Sequence, residues 1–406
     1  MFRKTLMPCL FLVCLLIACT TEKEPESRTG SVTILFQIEV PDDTPAVYIT
    51  GNLPALGPWQ PDALALEGTG SKRTVNVQMP RDHALEYKFT LGSWDREAVD
   101  AAGSVMPNFQ LTASNNATTE HTLEAFKQDP LVYLEDWQSA GILGSMVAWP
   151  DVASAFLTAP RHVQIWLPPE YESQPARSFP VLYMHDGQNL FDPRTAGMGV
   201  DWGVDEAMVK GANAGLFERA IVVGVWNSGR RLEEYSPWHE ANQYARFLKE
   251  ELIPRVNQSF RTQTEAANTF VMGSSMGGLL SYYLVKEHPD TFSACGCVST
   301  HFPLSEAVAD RILLRHDDHS DTTPFILRDM EAGATIPAGT RFFFDYGTEG
   351  LDASYGPTHE AVEGWLNGLG LVSGQDFLNR EYEGADHNEA SWRARLQDQL
   401  VWMLAD

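Results

Sequence analysis

Positive charge is scarce in this chain. Its 406 residues hold 29 Lys and Arg against 54 Asp and Glu, a net charge of −25. A surface of that sign repels phosphate backbones and anionic headgroups, which argues against nucleic acid or an acidic membrane surface as the main partner. Neutral sugars and uncharged esters stay open. Cysteine is sparse as well: five in all, of which Cys9, Cys14 and Cys19 stand near the N-terminus. Cys295 and Cys297 are only two positions apart, so a mutual disulfide would be strained. They read as small buried residues on a strand, neither a staple nor a metal site, and no metal or other cofactor is expected. Runs of like charge and internal repeats are missing. Aromatic residues are not, with 11 Trp, and the composition is that of a globular chain rather than a disordered one. This length predicts two or three domains.

The first segment reads as an address. Arg3 and Lys4 make a positive start, and the apolar stretch at residues 10–18 is too short to cross a bilayer as a stable helix. It ends in Leu16-Ile17-Ala18-Cys19, which resembles the bacterial lipobox. The resemblance implies a lipoprotein signal peptide at residues 1–19, with Cys19 as the lipid-bearing first mature residue. It also implies a place in the bacterial cell envelope, anchored to membrane only through that lipid. Thr20 and Thr21 follow, and by resemblance to sorting in enteric-type bacteria this favours the outer membrane, on its periplasmic or surface face. Residues 20–30, rich in Glu and with Pro25, read as a polar tether.

Two regimes follow. Residues 31–127 alternate apolar and polar at 32–40, 47–50, 74–79 and 85–90, with Pro, Gly and Asp clusters between, the rhythm of a small all-β domain. Residues 128–145 form a connector. Over residues 146–406 the stretches "RHVQIWLPPEY", "PVLYMHDG", "AIVVGVW", "ACGCVST" and "TRFFFDYG" are apolar on both faces and separated by helical patterns, one of them spanning residues 241–257. Strands alternating with helices predict an α/β domain with a mostly parallel sheet covered on both sides.

The joint "VMGSSMGGLL" at residues 271–280 carries the sharpest signal. A strand over residues 268–272 runs into a helix over residues 276–288, stopped by Pro289, with Gly273, Ser275 and Gly277 spaced Gly-x-Ser-x-Gly between them. In a nucleophile elbow the central serine sits on a strained strand-to-helix turn, and the flanking glycines avoid collisions. That singles out Ser275, not Ser274. A serine needs a base, and the base an acid to hold its tautomer. On this architecture acid and base follow the nucleophile in that order on late loops. His387, in "EYEGADHNEASW", follows the last strand and precedes the C-terminal helix, so it is the expected base. His316 and His319, in "RHDDH", read as a solvated insert. "FFFDYGTEGLDASYG" offers the acid: Asp352, with Glu349 its rival. Two backbone N–H groups should hold the oxyanion. One is that of Met276; the other lies in the loop at residues 185–189, where Gly187 allows close approach and Gln188 is the expected donor.

Two families are resembled. "VYITGNLPALGPW", "ALEYKFTLGSW" and "MPNF" are similar to the starch-binding type of carbohydrate-binding module, an immunoglobulin-like sandwich. That resemblance implies a stacking platform from Trp59 and Trp94, with Lys88 and Asn108 bonding sugar hydroxyls; Asp95 stands where Glu is usual. "LYMHDGQNLFD", "NSGRRLEEYSP", "MGSSMGGLLSYY", "DYGTEGLDA" and "GADHNEASW" resemble the esterase family that includes esterase D-like, feruloyl, acetylxylan and enterochelin esterases. It implies an α/β-hydrolase fold and serine ester hydrolysis; Arg230, Arg231 and Glu234 sit in one of its motifs and read first as structural pairing, then as substrate contact. The expected activity is hydrolysis of acyl esters on a saccharide, small or polymeric. A siderophore trilactone esterase and a non-catalytic glycan-binding lipoprotein are the alternatives.

Overall fold

A computed structural model describes residues 30–405 other than 58, 102, 104, 129 and 313–320. The expected signal peptide at residues 1–19 with Cys19, and the insert histidines His316 and His319, lie outside the described residues. None of the described helices is long and apolar enough to cross a membrane, and no cluster of metal-ligating side chains stands among the described residues.

The N-terminal module holds β1 (Ser31–Glu39), β2 (Tyr48–Gly51), β3 (Leu64–Ala65), β4 (Lys72–Pro80), β5 (Ala84–Thr90), β6 (Ala98–Val99), β7 (Phe109–Thr112), β8 (Ala117–Thr122) and β9 (Ala125–Phe126). One sheet runs β4-β1-β8, a second β3-β2-β5-β7, and β6 pairs with β9. All pairings are antiparallel except β1 with β8. Alternation along β1 buries Val32, Ile34, Phe36 and Ile38, and along β5 Leu85, Tyr87 and Phe89; both sets meet in one core.

The second domain is built on an eight-stranded sheet of order β10-β11-β13-β12-β14-β15-β16-β17. Its strands are β10 (Ser145–Val152), β11 (Arg161–Leu167), β12 (Val181–His185), β13 (Ile221–Val225), β14 (Thr269–Ser274), β15 (Ala294–Val298), β16 (Arg341–Gly347) and β17 (Phe377–Tyr382). The first two lie antiparallel at one edge, and the remaining six pair in parallel. Strands β12 to β15 are buried along their whole length, because helices cover both faces, which explains their unbroken apolar sequences. Cys295 and Cys297 are free and fully buried on β15. The helix expected over residues 241–257 is interrupted: Ala241–Arg246 and Ile253–Ser259 are α-helical, and Phe247–Leu252 between them is a π turn. Pro254 has no N–H to give to the carbonyl of Glu250, and a widened turn accommodates the missing bond.

A buried ion-pair cluster of the module makes one hydrogen bond to the second domain. Glu97 accepts from Lys88 Nζ at 2.7 Å and from Lys127 Nζ at 2.9 Å, and Lys127 also donates to the Ala196 carbonyl at 3.2 Å. Ala196 belongs to the loop that follows β12.

Candidate active site

The elbow is built by local sterics. Ser275 adopts φ 57° and ψ −120°, a conformation that costs a non-glycine residue free energy and persists only when its surroundings enforce it. Ser275 N–H donates to the Val298 carbonyl on the next strand at 2.8 Å, which fixes the turn to the sheet. A Cβ on Gly273 would stand 2.8 Å from the backbone of Gly277, so a side chain there would force strand and helix apart. A Cβ on Gly277 would meet nothing nearer than 3.4 Å; that glycine matters for what its backbone lets Gly273 approach. The helix Met276–Glu287 starts directly after the serine, and the first N–H groups of a helix have no partner within it. Met276 thus presents its N–H at a positive helix end.

The acid and base meet as a pair. His387 Nδ1 lies 2.6 Å from Asp352 Oδ1, which puts the ring proton on Nδ1 and leaves Nε2 to act as base. Asp352 is fully buried, and its Oδ2 accepts from Gly347 N–H at 2.7 Å and Ser299 Oγ at 2.5 Å. Burial alone would raise its pKa; the hydrogen bonds from His387, Ser299 and Gly347 outweigh that and hold it below the usual carboxylate value. Glu349 is exposed and its backbone N–H is bound to Ala385. Asp386 Oδ1 accepts the backbone N–H of His387 at 2.7 Å. Asp345 ends in the interior, on Ser299 N–H, Arg395 and Gln399.

Ser299, Trp392 and Arg395 escaped the sequence reading. Ser299 Oγ accepts from Trp392 Nε1 at 2.9 Å and from Arg395 Nη2 at 2.7 Å while donating to Asp352. The C-terminal helix, Glu389–Leu404, supplies both partners, so the helix after the base braces the acid. Only the Trp four residues past Asn388, on the first turn of that helix, hinted at it.

The loop after β12 faces the elbow. Asp186 is left-handed at φ 56°, and Gly187–Asn189 form a 3₁₀ turn. A Cβ on Gly187 would sit 2.5 Å from the backbone of Gly224, so glycine is required there. Arg231 grips Asp186 with both Nε and Nη2 at 2.7 Å and reaches the Ser274 carbonyl at 3.3 Å. Asp186 is buried; Arg231 and Asn227 counter the burial and lower its pKa. Arg231 therefore ties the Gln188 turn to the nucleophile turn. Glu234 forms a buried pair with Arg161 and accepts from Ser228 Oγ at 3.1 Å, while Arg230 pairs with Glu240 at 2.6 Å nearer the surface. All three motif residues are thus engaged in pairing. Gln188 is half-buried, its side-chain oxygen accepting from Asn227 N–H at 3.3 Å and its carbonyl from Thr195 Oγ1 at 2.6 Å. Glu389 lies on the far side of this turn, near Asn189 Nδ2 at 3.4 Å; burial raises its pKa.

In the module, Trp59 and Trp94 stand together, ring centroids 6.4 Å apart and planes 38° apart, with Trp94 37% exposed. Trp59 holds φ 61°. Asn108 is exposed, its amide on Glu86 at 3.2 Å. Lys88 departs from the expectation of a sugar-facing donor. It is buried, and its ammonium is committed to Glu97, because Glu97 bridges the end of β5 at Thr90 and covers that face of the strand.

A strained serine at a strand-to-helix joint, a His–Asp pair after it, and an eight-stranded covered sheet make up an α/β-hydrolase architecture with a nucleophile elbow. Residues 154–352 match the family described as "Putative esterase", and residues 31–123 match the starch binding domain. The chain is 24% identical to an uncharacterized protein, YbbA, of Bacillus subtilis over 34% of its own length and 56% of that protein's. Its module is 32% identical to part of an alpha-amylase of Niallia circulans, covering 23% of this chain and 7% of the amylase. The chain thus spans just over half of the first relative and a small part of the second. Among solved structures, a ferulic acid esterase aligns with TM-score 0.47 and 18% identity over 65% of this chain and 98% of its own. The enterobactin esterase FES from Shigella flexneri aligns with TM-score 0.49 and 15% identity over 94% of both chains.

Proposed function

We propose that the protein hydrolyses carboxylic esters borne on saccharides, as a lipoprotein anchored through Cys19 in the bacterial envelope, its module holding the glycan. The observation that carries the chemistry is the buried Asp352–His387 pair downstream of a serine held at φ 57°. Ser275 Oγ attacks the acyl carbon while His387 Nε2 takes its proton. The developing oxyanion is held by the N–H groups of Met276 and Gln188. The alcohol leaves with the proton from His387; water, activated by the same base, then releases the acid. Asp352 keeps the imidazole in the useful tautomer and stabilises its cation.

The saccharide part of the proposal is supported by the starch-binding-domain match and by the paired indoles of Trp59 and Trp94. The test is activity profiling against acetyl, feruloyl and catecholate-lactone esters, on small alcohols and on polymeric glycans. Ser275→Ala should lose on the order of 10³-fold or more in kcat with the fold intact, whereas Ser274→Ala should be mild. A serine variant that still turns over, or exclusive activity on the catecholate lactone, overturns the proposal. The anchor is tested by fractionation: a Cys19→Ser variant should leave the membrane fraction and take up no labelled fatty acid.

A further inference from the structure

Two buried side chains beside the nucleophile have no task in the mechanism above. Tyr355 lies three residues after the acid and is fully buried. Its hydroxyl is hydrogen-bonded to Nδ1 of His301 and lies near enough to the Ser275 side chain for the serine to lower the phenol's pKa against the larger effect of burial. The backbone N–H of His301 donates to the Ser275 carbonyl at 3.3 Å, so the elbow itself positions that residue. The Tyr355 ring stands edge-on to His387 with centroids 5.7 Å apart. His301 Nε2 is buried and without a hydrogen-bond partner.

The hydrogens can be assigned from these contacts. Burial, aided by His387 and Arg231, pushes the His301 pKa down to about 4, so at neutral pH the ring holds one proton. On Nε2 that proton would be an orphaned buried donor, the costlier arrangement; on Nδ1 it is used. Nδ1–H therefore donates to Tyr355 Oη. The phenol, whose ionisation burial strongly opposes, keeps its own proton and points it at Ser275 Oγ. The serine's proton is left for His387 Nε2.

We propose that Tyr355 is a catalytic residue, donating a hydrogen bond to Ser275 Oγ as that oxygen leaves the acyl group, and that His301 is the positioning residue that turns the phenol proton toward it. The inference rests on the Ser275 hydrolysis proposed above. In deacylation, water gives a proton to His387 Nε2 and its oxygen bonds to the acyl carbon. Collapse of that adduct breaks the Oγ–C bond; both electrons go to Oγ, which recovers the proton from His387. Tyr355 keeps its proton throughout, and its hydrogen bond is strongest while Oγ is negative. In acylation the same bond acidifies the hydroxyl but draws on the attacking lone pair, so the gain falls mainly on Oγ departure.

Stopped-flow hydrolysis of p-nitrophenyl acetate separates the two steps, with intact mass reporting the acyl-enzyme. Tyr355→Phe should slow deacylation by about 10-fold or more, as loss of a donor to a developing oxyanion does, and acylation by less. The burst should then approach one equivalent and the acyl-enzyme accumulate. His301→Leu should show the same split. His301→Asn, whose amide can donate from the place of Nδ1, should restore most of the rate. The Tyr355→Phe/His301→Leu double variant should be no slower than Tyr355→Phe alone. Equal slowing of both steps, no slowing, or an Asn variant as poor as the Leu variant overturns the assignment. If Tyr355→Phe fails to fold, the His301 pair still decides. A burst that survives in Ser275→Ala sinks the hydrolytic mechanism itself; a silent Ser275→Ala with an unaffected Tyr355→Phe sinks only this inference.

Discussion

At the scale of the residue, local signals were readable and distant ones were not. Ser275 announces itself because the elbow needs glycine at 273 and a strand and a helix on either side, all within about ten residues of chain. His387 follows from its place after the last strand. Ser299 carries no such mark: it becomes a brace for the acid only once the C-terminal helix brings Trp392 and Arg395 against it. Between Asp352 and Glu349, three residues apart, the sequence favours Asp352 without deciding, since burial decides between them and burial is a property of the folded chain. Asp352→Asn should therefore cost far more activity than Glu349→Gln, by roughly 10³-fold or more in kcat, because the wrong imidazole tautomer disables the base. Comparable losses in the two variants would show that the pair seen here is not the working one. The same carboxylate has a pH signature. Its pKa is lowered in the folded state, so the stability it contributes is complete above the ordinary carboxylate value of about 4 and is lost as pH falls through the lower folded value. Acid titration of unfolding should show that loss, and Asp352→Asn should flatten it.

At the scale of the element, the strand-and-helix alternation was legible because each strand is apolar throughout and each helix has its own period. The π turn at Phe247–Leu252 was not, because it preserves the amphipathic pattern while changing the hydrogen-bond register. Lys88 escaped for a similar reason. Alternation along β5 puts it on the face opposite Tyr87 and Phe89, which in an isolated sheet would face water; Glu97 and Lys127 cover it. The short helix Arg231–Glu234 shows how a motif can be structural: Glu234 neutralises Arg161, and both side chains are almost completely buried. Glu234→Gln leaves that guanidinium without its counter-charge and should destabilise the fold by about 3–5 kcal/mol, read as a lower denaturation midpoint. A midpoint within error of the parent would mean that water reaches the pair.

At the scale of the whole molecule, a strongly negative chain joins a domain that matches the esterase family to one that matches the starch binding domain. Stacking a pyranose on indole removes tens of Å² of apolar surface from water at about 25 cal/mol per Å², which predicts weak binding, on the order of 0.1–1 mM for one site. Affinity electrophoresis in starch and xylan gels should retard the parent and release Trp59→Ala, while that variant keeps full turnover of a small soluble ester. No retardation of either form would leave the module as scaffold.

The contact from Glu97 through Lys127 to the Ala196 carbonyl bears on how the molecule melts. Pulling the domains apart would take the Ala196 carbonyl from the Lys127 ammonium, which is now almost completely buried beside Glu97 in the module. Loss of the second domain would then expose that ammonium, and loss of the module would leave the Ala196 carbonyl without its donor; the loop that carries Ala196 also holds the carbonyl of Gln188 through Thr195. Differential scanning calorimetry should accordingly record one cooperative transition for the whole chain. Lys127→Met should split it in two, with the module melting first and the hydrolase domain keeping its own midpoint.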